Sequence, residues 1–322
     1  MAWRQWALVA LFAVVACGDD DGAEAPVERD AAVELATDGK DASAKRDARV
    51  ADARVASDAG VPQASDARVA DAQAVVDARV PDAGTATKAS WLIQPGDKVF
   101  FVGNSFFNWQ DRVLSEWVKA IGQSVSPKFA IETGDHNQPG DMPLSWFFEQ
   151  QKSKDAIASG QWDLFILQGH ELEPVDHKED FFDAVRAYHK AITAKGGKVM
   201  LFMTWDFEWN GGPDSEFYEK LSTAYDEIGE ELDIPVIPVG VIYNDTVKAP
   251  FPGADPWFLN GGDLHEVAPG AAVNAYATFS MLTGIDAMGV DFEARNNDNT
   301  PEMLRYCSDK SWVRVSERLN AN

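Results

Sequence analysis

The sequence predicts an α/β domain of three layers, with helices on both faces of a mostly parallel five-stranded sheet, preceded by a long tether without a fold. Two observations carry this reading. From residue 91 onward, short and nearly continuous apolar runs alternate with segments whose apolar residues recur at three- and four-residue spacing, the mark of buried strands and amphipathic helices in turn. From residue 18 to 90 there is no aromatic residue, and Asp-Ala-Arg-Val recurs at Asp47, Asp52, Asp66 and Asp77 among Ser, Pro and Gly. Such a composition cannot bury enough apolar surface to offset the entropy of ordering.

The elements follow in chain order. Residues 1–17 carry one basic side chain, Arg4, then a short apolar stretch from Trp6 to Val15, then Val14-Val15-Ala16-Cys17 before the acidic run Asp19-Asp20-Asp21. The stretch is too short for a span, and its end resembles a bacterial lipobox, which implies export, lipidation at Cys17 and a place on the cell envelope. Cys307 then has no partner in the mature chain, so no disulfide framework is expected; it is read as a small buried hydrophobe. Residues 18–90 are a tether with a root-mean-square reach of about 45 to 50 Å by coil scaling. Gly60, Pro62, Pro81 and Gly84 interrupt any helix there.

The folded domain, 91–322, is long enough for one substantial core. Strands are expected at 98–102, 127–132, 163–168, 197–203 and 234–239, and helices at 112–121, 144–158, 180–194, 216–232 and 269–282. Gly122, Gly160 and Gly196 close the first three helices. Strand and helix in strict alternation imply right-handed crossovers and a parallel sheet. Pro235 and Pro238 place the fifth strand at an edge, where a missing N–H costs least.

Charge narrows the partners. The chain carries a formal net charge of −24; the tether holds sixteen acids against nine bases, and the rest of the excess lies on 91–322. Such a surface repels phosphate backbones, so nucleic acid is excluded as a partner and neutral or cationic ligands are favoured; solubility alone explains the acidity equally well.

The chemistry is read from the strand ends, since ligands of open parallel sheets bind beyond the carboxyl ends of the strands. Gly103-Asn104-Ser105 follows the first strand, Gly134 to Gly140 the second, Gln168-Gly169-His170-Glu171 the third, Thr204-Trp205-Asp206 the fourth, and a loop from Gly240 to His265 the fifth. A serine on such a turn becomes a nucleophile when a neighbouring imidazole takes its proton. Ser105 is the candidate nucleophile and His265 the candidate general base; a bare helix cap at Ser105 and an exposed loop histidine are the structural alternatives. Asp135-His136 and His170-Glu171 lack the tight spacing of a metal site, so no metal is expected there.

With GNS in the place of a GDS block and Asp263-Leu264-His265-Glu266-Val267-Ala268-Pro269-Gly270 in the place of a terminal Asp/His block, the stretch from Val99 to Gly284 resembles the SGNH or GDSL-like hydrolase superfamily. The resemblance implies a flavodoxin-like sheet, a serine esterase acting on acyl or acetyl esters through an acyl-serine with no metal or organic cofactor, and an acid orienting the histidine. That acid normally stands three positions before the histidine, where this chain has Gly262; Asp263 is the first candidate, Asp255 the reserve, and a dyad without an acid is the third possibility. By the same resemblance the oxyanion donors are the Ser105 N–H, Gly140, with Gly134 competing for its place, and Gln168, whose other reading is a tie between two loops.

Asn104, Trp205 and His170, together with Trp109, Trp146 and Trp209, are placed on the substrate rim, where aromatic faces suit a sugar ring. The expected partners are therefore a small-molecule or glycan ester and, through the lipid anchor only, a membrane. The competing class is an inactive surface module that binds glycans or an envelope partner.

Overall fold

The computed structural model describes residues 90–321. The expected signal with Cys17, and all of the tether up to residue 89, lie outside the described residues. The strands are β1 (Lys98–Gly103), β2 (Asn108–Trp109), β3 (Arg112–Val113), β4 (Glu132–Asn137), β5 (Leu164–Leu167), β6 (Lys198–Phe202) and β7 (Val236–Ile237). Five of them form one sheet in the order β4-β1-β5-β6-β7, each neighbouring pair parallel. Among the sheet strands this is the order second, first, third, fourth, fifth, the flavodoxin-like arrangement, whose switch point falls between β1 and β5.

Alternation within each strand divides the core. Val99 and Phe101 of β1, Leu164 and Ile166 of β5, and Met200 and Phe202 of β6 face one layer; Phe100, Val102, Phe165, Leu167, Val199 and Leu201 face the other. The first layer is built by α1 (Leu114–Ser124), α7 (Val239–Lys248), α8 (Ala268–Thr283) and α9 (Pro301–Ala321). The second is built by α2 (Leu144–Glu149), α3 (Gln151–Ser159), α5 (Lys178–Thr193) and α6 (Glu216–Leu232), with the single turn α4 (Glu173–Asp176) beside α5 and α6. Burying each large side chain in these layers contributes roughly 1.5 to 3 kcal/mol. Helix α8 is buried almost all round; its small residues Ala271, Ala272, Ala275 and Ala277 let α1 and α9 pack against it. Cys307, on α9, is free and buried, and burial raises its thiol pKa strongly.

Several boundaries differ from the sequence expectation. The second sheet strand is 132–137, not 127–132: Phe129 and Ile131 are buried in the core, but pairing with β1 begins at Lys98↔Glu132. An edge strand with one neighbour needs little apolar character, and only His136 in it is buried, so hydropathy points to the wrong side of Glu132. The fifth strand shrinks to Val236–Ile237 between its two prolines and lies at the sheet edge. The helix expected at 144–158 is two, broken where Gln150 is extended at ψ 146°. Within the expected loop from 240 to 265 lies α7, with Val239, Ile242, Tyr243 and Thr246 turned inward at helical spacing.

Candidate active site

Strand β1 ends in a tight passage. A Cβ on Gly103 would press on the Gln168 side chain and lie 3.0 Å from Phe107 Cδ2, so only glycine lets the chain pass between them. The chain then enters one 3-10 turn, Ser105–Phe107, capped by Asn104: its Oδ1 accepts the Phe106 N–H at 3.1 Å and its carbonyl accepts the Phe107 N–H at 3.2 Å. Phe106 and Phe107 are buried, which fixes the turn to the core and leaves Ser105 at its head, 7 % exposed. Among the described residues the Ser105 N–H has no backbone acceptor.

His265 arrives from the other end of the domain, on the loop before α8. Its Nε2 lies 2.7 Å from Ser105 Oγ, across 160 positions of sequence. The loop is tied from several sides: Trp205 Nε1 donates to the Leu264 carbonyl at 3.1 Å, Asn260 Nδ2 to the Asp263 carbonyl at 2.8 Å, and the Val267 N–H to the Leu259 carbonyl at 2.9 Å. The indole of Trp109 stacks on the imidazole, centroids 3.6 Å apart and planes 7° from parallel. Burial lowers the His265 pKa below its ordinary 6.5, while the fields of Glu171 and Asp263 pull it partly back. Near neutral pH the ring is uncharged and able to accept a proton.

The remaining sequence candidates divide. Asp263 is exposed and its Oδ1 accepts the Leu264 N–H at 2.7 Å, a local turn rather than a bond to the imidazole. Asp255 likewise accepts the Trp257 N–H at 2.8 Å. Among the described residues no carboxylate hydrogen-bonds His265. Gly262 explains why none comes from that position: its φ is +77°, and the Glu208 carboxylate lies where its Cβ would be. An aspartate there would be strained and would collide.

Gln168 is the loop tie: Oε1 accepts the Asn104 N–H at 2.9 Å, Nε2 donates to the Gly169 carbonyl, and the residue is 1 % exposed. It joins the ends of β1 and β5 across the switch point. Gly134 sits inside β4 opposite Phe100, where a Cβ would strike Trp162, so it is a packing glycine. Gly140, at φ +123°, lies in the exposed loop after β4. Trp205 is fully buried, stacked on Tyr243 at 4.5 Å, and belongs to the core beneath the histidine loop rather than to a rim. Of the other tryptophans, Trp209 is 61 % exposed and stacks on Phe207. Asn104 is buried and serves the turn.

His170 lies beside Glu171 and Asp141, its Nε2 3.0 Å and 3.8 Å from their carboxylates. Burial opposes its charging, yet the hydrogen bond to Glu171 and the fields of Glu171, Asp141 and Glu173 outweigh it and raise the pKa. Among the described residues these three are the one group whose ligand atoms, all within 4.8 Å of one another, could hold a cation. Asp135 pairs instead with Lys152, and His136 Nδ1 with Ser153 Oγ at 2.7 Å. Glu171 stands in the strand-end run Gln168-Gly169-His170-Glu171 read from the sequence, and the structure adds its contact with His170 and its field on His265.

Neither a protein-family model nor a curated protein matches this sequence. Solved structures do. The chain is similar to a DUF4886 family protein from Bacteroides uniformis at 15% identity, TM-score 0.53, over 68% of this chain and 95% of that one. It is also similar to a protein described as a candidate SGNH hydrolase from Slackia heliotrinireducens, at 14% identity and TM-score 0.48 over 57% and 97% of the two chains. A mutant of an acetyl-xylooligosaccharide esterase from Geobacillus stearmophilus aligns at 15% identity and TM-score 0.49 over 63% and 99%. At these identities the likeness is one of fold, and the α/β fold expected from the SGNH-like motifs is the one observed.

Proposed function

We propose that this chain is a serine esterase that cleaves acyl or acetyl esters, with Ser105 as nucleophile and His265 as general base. The observation that carries the reading is the 2.7 Å contact between Ser105 Oγ and His265 Nε2 at the carboxyl end of a parallel sheet, on the side of its switch point. In the first step the Ser105 oxygen bonds the ester carbonyl carbon as its proton passes to Nε2, and the carbonyl electron pair moves to oxygen. The Ser105 N–H, which has no backbone acceptor among the described residues, is the first donor to that oxyanion, and the Gly140 N–H is its proposed second. Collapse breaks the bond to the alcohol, which leaves with the proton from Nε2; water, deprotonated by the same ring, then releases the acid and restores Ser105. A neutral His265 suits this work.

His265 works without a carboxylate on its other nitrogen, as a dyad. Carbohydrate esters are the favoured substrates, supported by the exposed indole of Trp209 on the loop after β6. Cys17, with its lipobox, anchors the enzyme to the envelope; loss of membrane association in Cys17→Ala tests this.

The direct test is covalent capture by a fluorophosphonate probe, with mapping of the labelled peptide. Capture at Ser105, absent in Ser105→Ala and weak in His265→Gln, is the expected result, together with hydrolysis of p-nitrophenyl acetate. No capture and equal hydrolysis by native and Ser105→Ala protein would leave an inactive binding module as the better account, which the engaged Gln168 and the displaced Asp263 favour.

A further inference from the structure

Among the described residues His265 has no carboxylate partner, and the ring lying flat on its imidazole is Trp109, with Phe106 packed at a tilt 5.7 Å away. The ribbon carrying this indole follows the serine turn directly: β2 and β3 pair Trp109 with Arg112, and the two residues between them, Gln110 and Asp111, are both left-handed at φ 51° and 63°. Such a two-residue reversal has the twist that strands prefer, so the ribbon is tight. Its tip is tied down by Asn296 Nδ2 to the Gln110 carbonyl at 2.8 Å and by Arg295 to Asp111 at 2.9 Å. From its far strand Arg112 reaches the carbonyl of Glu266, the residue after His265, at 3.5 Å. One ribbon therefore grips both the face of the imidazole and the backbone next to it.

We propose that Trp109 is a positioning residue for His265, fixing the imidazole toward Ser105 and stabilising the imidazolium that forms when the serine proton is taken. The inference rests on the serine-esterase reading above. A cation is drawn to the face of an indole, and most strongly where water is excluded, whereas the neutral ring gains only dispersion from the same stack. The interaction therefore strengthens as the proton moves to Nε2, which is the differential that lowers a barrier. It supplies what a triad carboxylate gives elsewhere: a fixed ring and a favoured positive charge.

The sign of the effect separates this role from simple shielding. The titratable and charged groups around the imidazole are Glu171 from the loop after β5 and Asp263 on its own loop, whose fields act on it, Arg112 on the ribbon, and the buried Glu266, whose carboxyl burial pushes toward its neutral form. None of these side chains is itself substituted in the Trp109 variants. Removing the indole also admits water, which favours the charged ring and raises the pKa. Loss of the stacked face does the opposite. A cation–π contact of ordinary strength corresponds to a pKa fall of about 0.5 to 1.5 in Trp109→Leu, with Trp109→Phe between it and the native protein.

The experiment is NMR titration of the His265 ring in the native chain, Trp109→Phe and Trp109→Leu, the resonance being assigned by comparison with His265→Gln. The acid limb of kcat/KM for p-nitrophenyl acetate is followed alongside. A fall in pKa ordered native, Phe, Leu, with the acid limb moving in the same direction, is expected. An unchanged or raised pKa in both variants overturns the proposal, and fluorophosphonate capture at Ser105 in that case leaves the esterase reading standing. The ordered fall without capture of native protein upholds the stack and removes the esterase reading. Trp109→Phe keeps an aromatic ring in the ribbon, so the result does not hinge on the leucine variant folding.

Discussion

Replacing Gly103 with alanine tests the packing logic that delivers the serine. The added methyl would sit 3.0 Å from Phe107 Cδ2 and 3.1 Å from Gln168 Cβ, besides pressing on the Gln168 amide, in a place where Phe107 and Gln168 are buried. Forcing a methyl group into such a core costs about 1 to 3 kcal/mol. If Gln168 yields, its Oε1 leaves the Asn104 N–H, and an unmet buried donor costs about 1 to 3 kcal/mol more. The expected loss of stability is therefore about 2 to 6 kcal/mol, read as a lower urea midpoint at unchanged slope. The same displacement moves the turn that carries Ser105, and a shift on the order of 1 Å at a catalytic group costs about 10²-fold in rate. Urea unfolding and kcat/KM on one preparation read both. A variant within 0.5 kcal/mol of native stability and with native kcat/KM would refute the reasoning, because the passage would then accommodate a side chain.

Three further outcomes follow from the site. Activity should fall as pH drops through a midpoint below 6.5, since the folded pKa of His265 is lowered; the same sign means its contribution to stability is present above 6.5 and lost as pH falls through that lower value, measurable by pH-dependent urea unfolding. Asp263→Asn should cost less than about tenfold in kcat/KM, whereas His265→Gln should cost about 10²- to 10⁴-fold, because the Asp263 carboxylate serves its own turn. Cys307 should resist a thiol reagent in the native state and react fully in denaturant, since burial keeps the thiol protonated; native-state labelling at the denatured rate would contradict its place in the core.

What the sequence conveyed and what it hid divide along physical lines. The central strands were readable because strands covered on both faces are continuous apolar runs; Ser105 and His265 stood out as candidates because one follows such a strand and the other precedes a helix, and their side chains meet at 2.7 Å. The edge strand at 132–137 was hidden because Glu-Thr-Gly-Asp-His-Asn shows no hydropathy signal, although its backbone pairs with β1 along its whole length. The roles of Gln168 and Trp205 were hidden for another reason: a polar amide or an indole at a strand end looks the same in sequence whether it faces substrate or braces a loop. Only burial separates the cases. Trp109 was visible as an aromatic near the rim, but its stack on His265 depends on a two-residue reversal at Gln110-Asp111 that neither residue type announces.

The 160 positions between Ser105 and His265 mean that hydroxyl and imidazole meet only when the first strand and the last third of the domain are both in place. A growing polypeptide therefore carries an inert alcohol for most of its synthesis. On the proposed esterase reading, turnover of an ester substrate would then report, without any label, the moment at which the final helices dock, a gauge of completed assembly built into the chain.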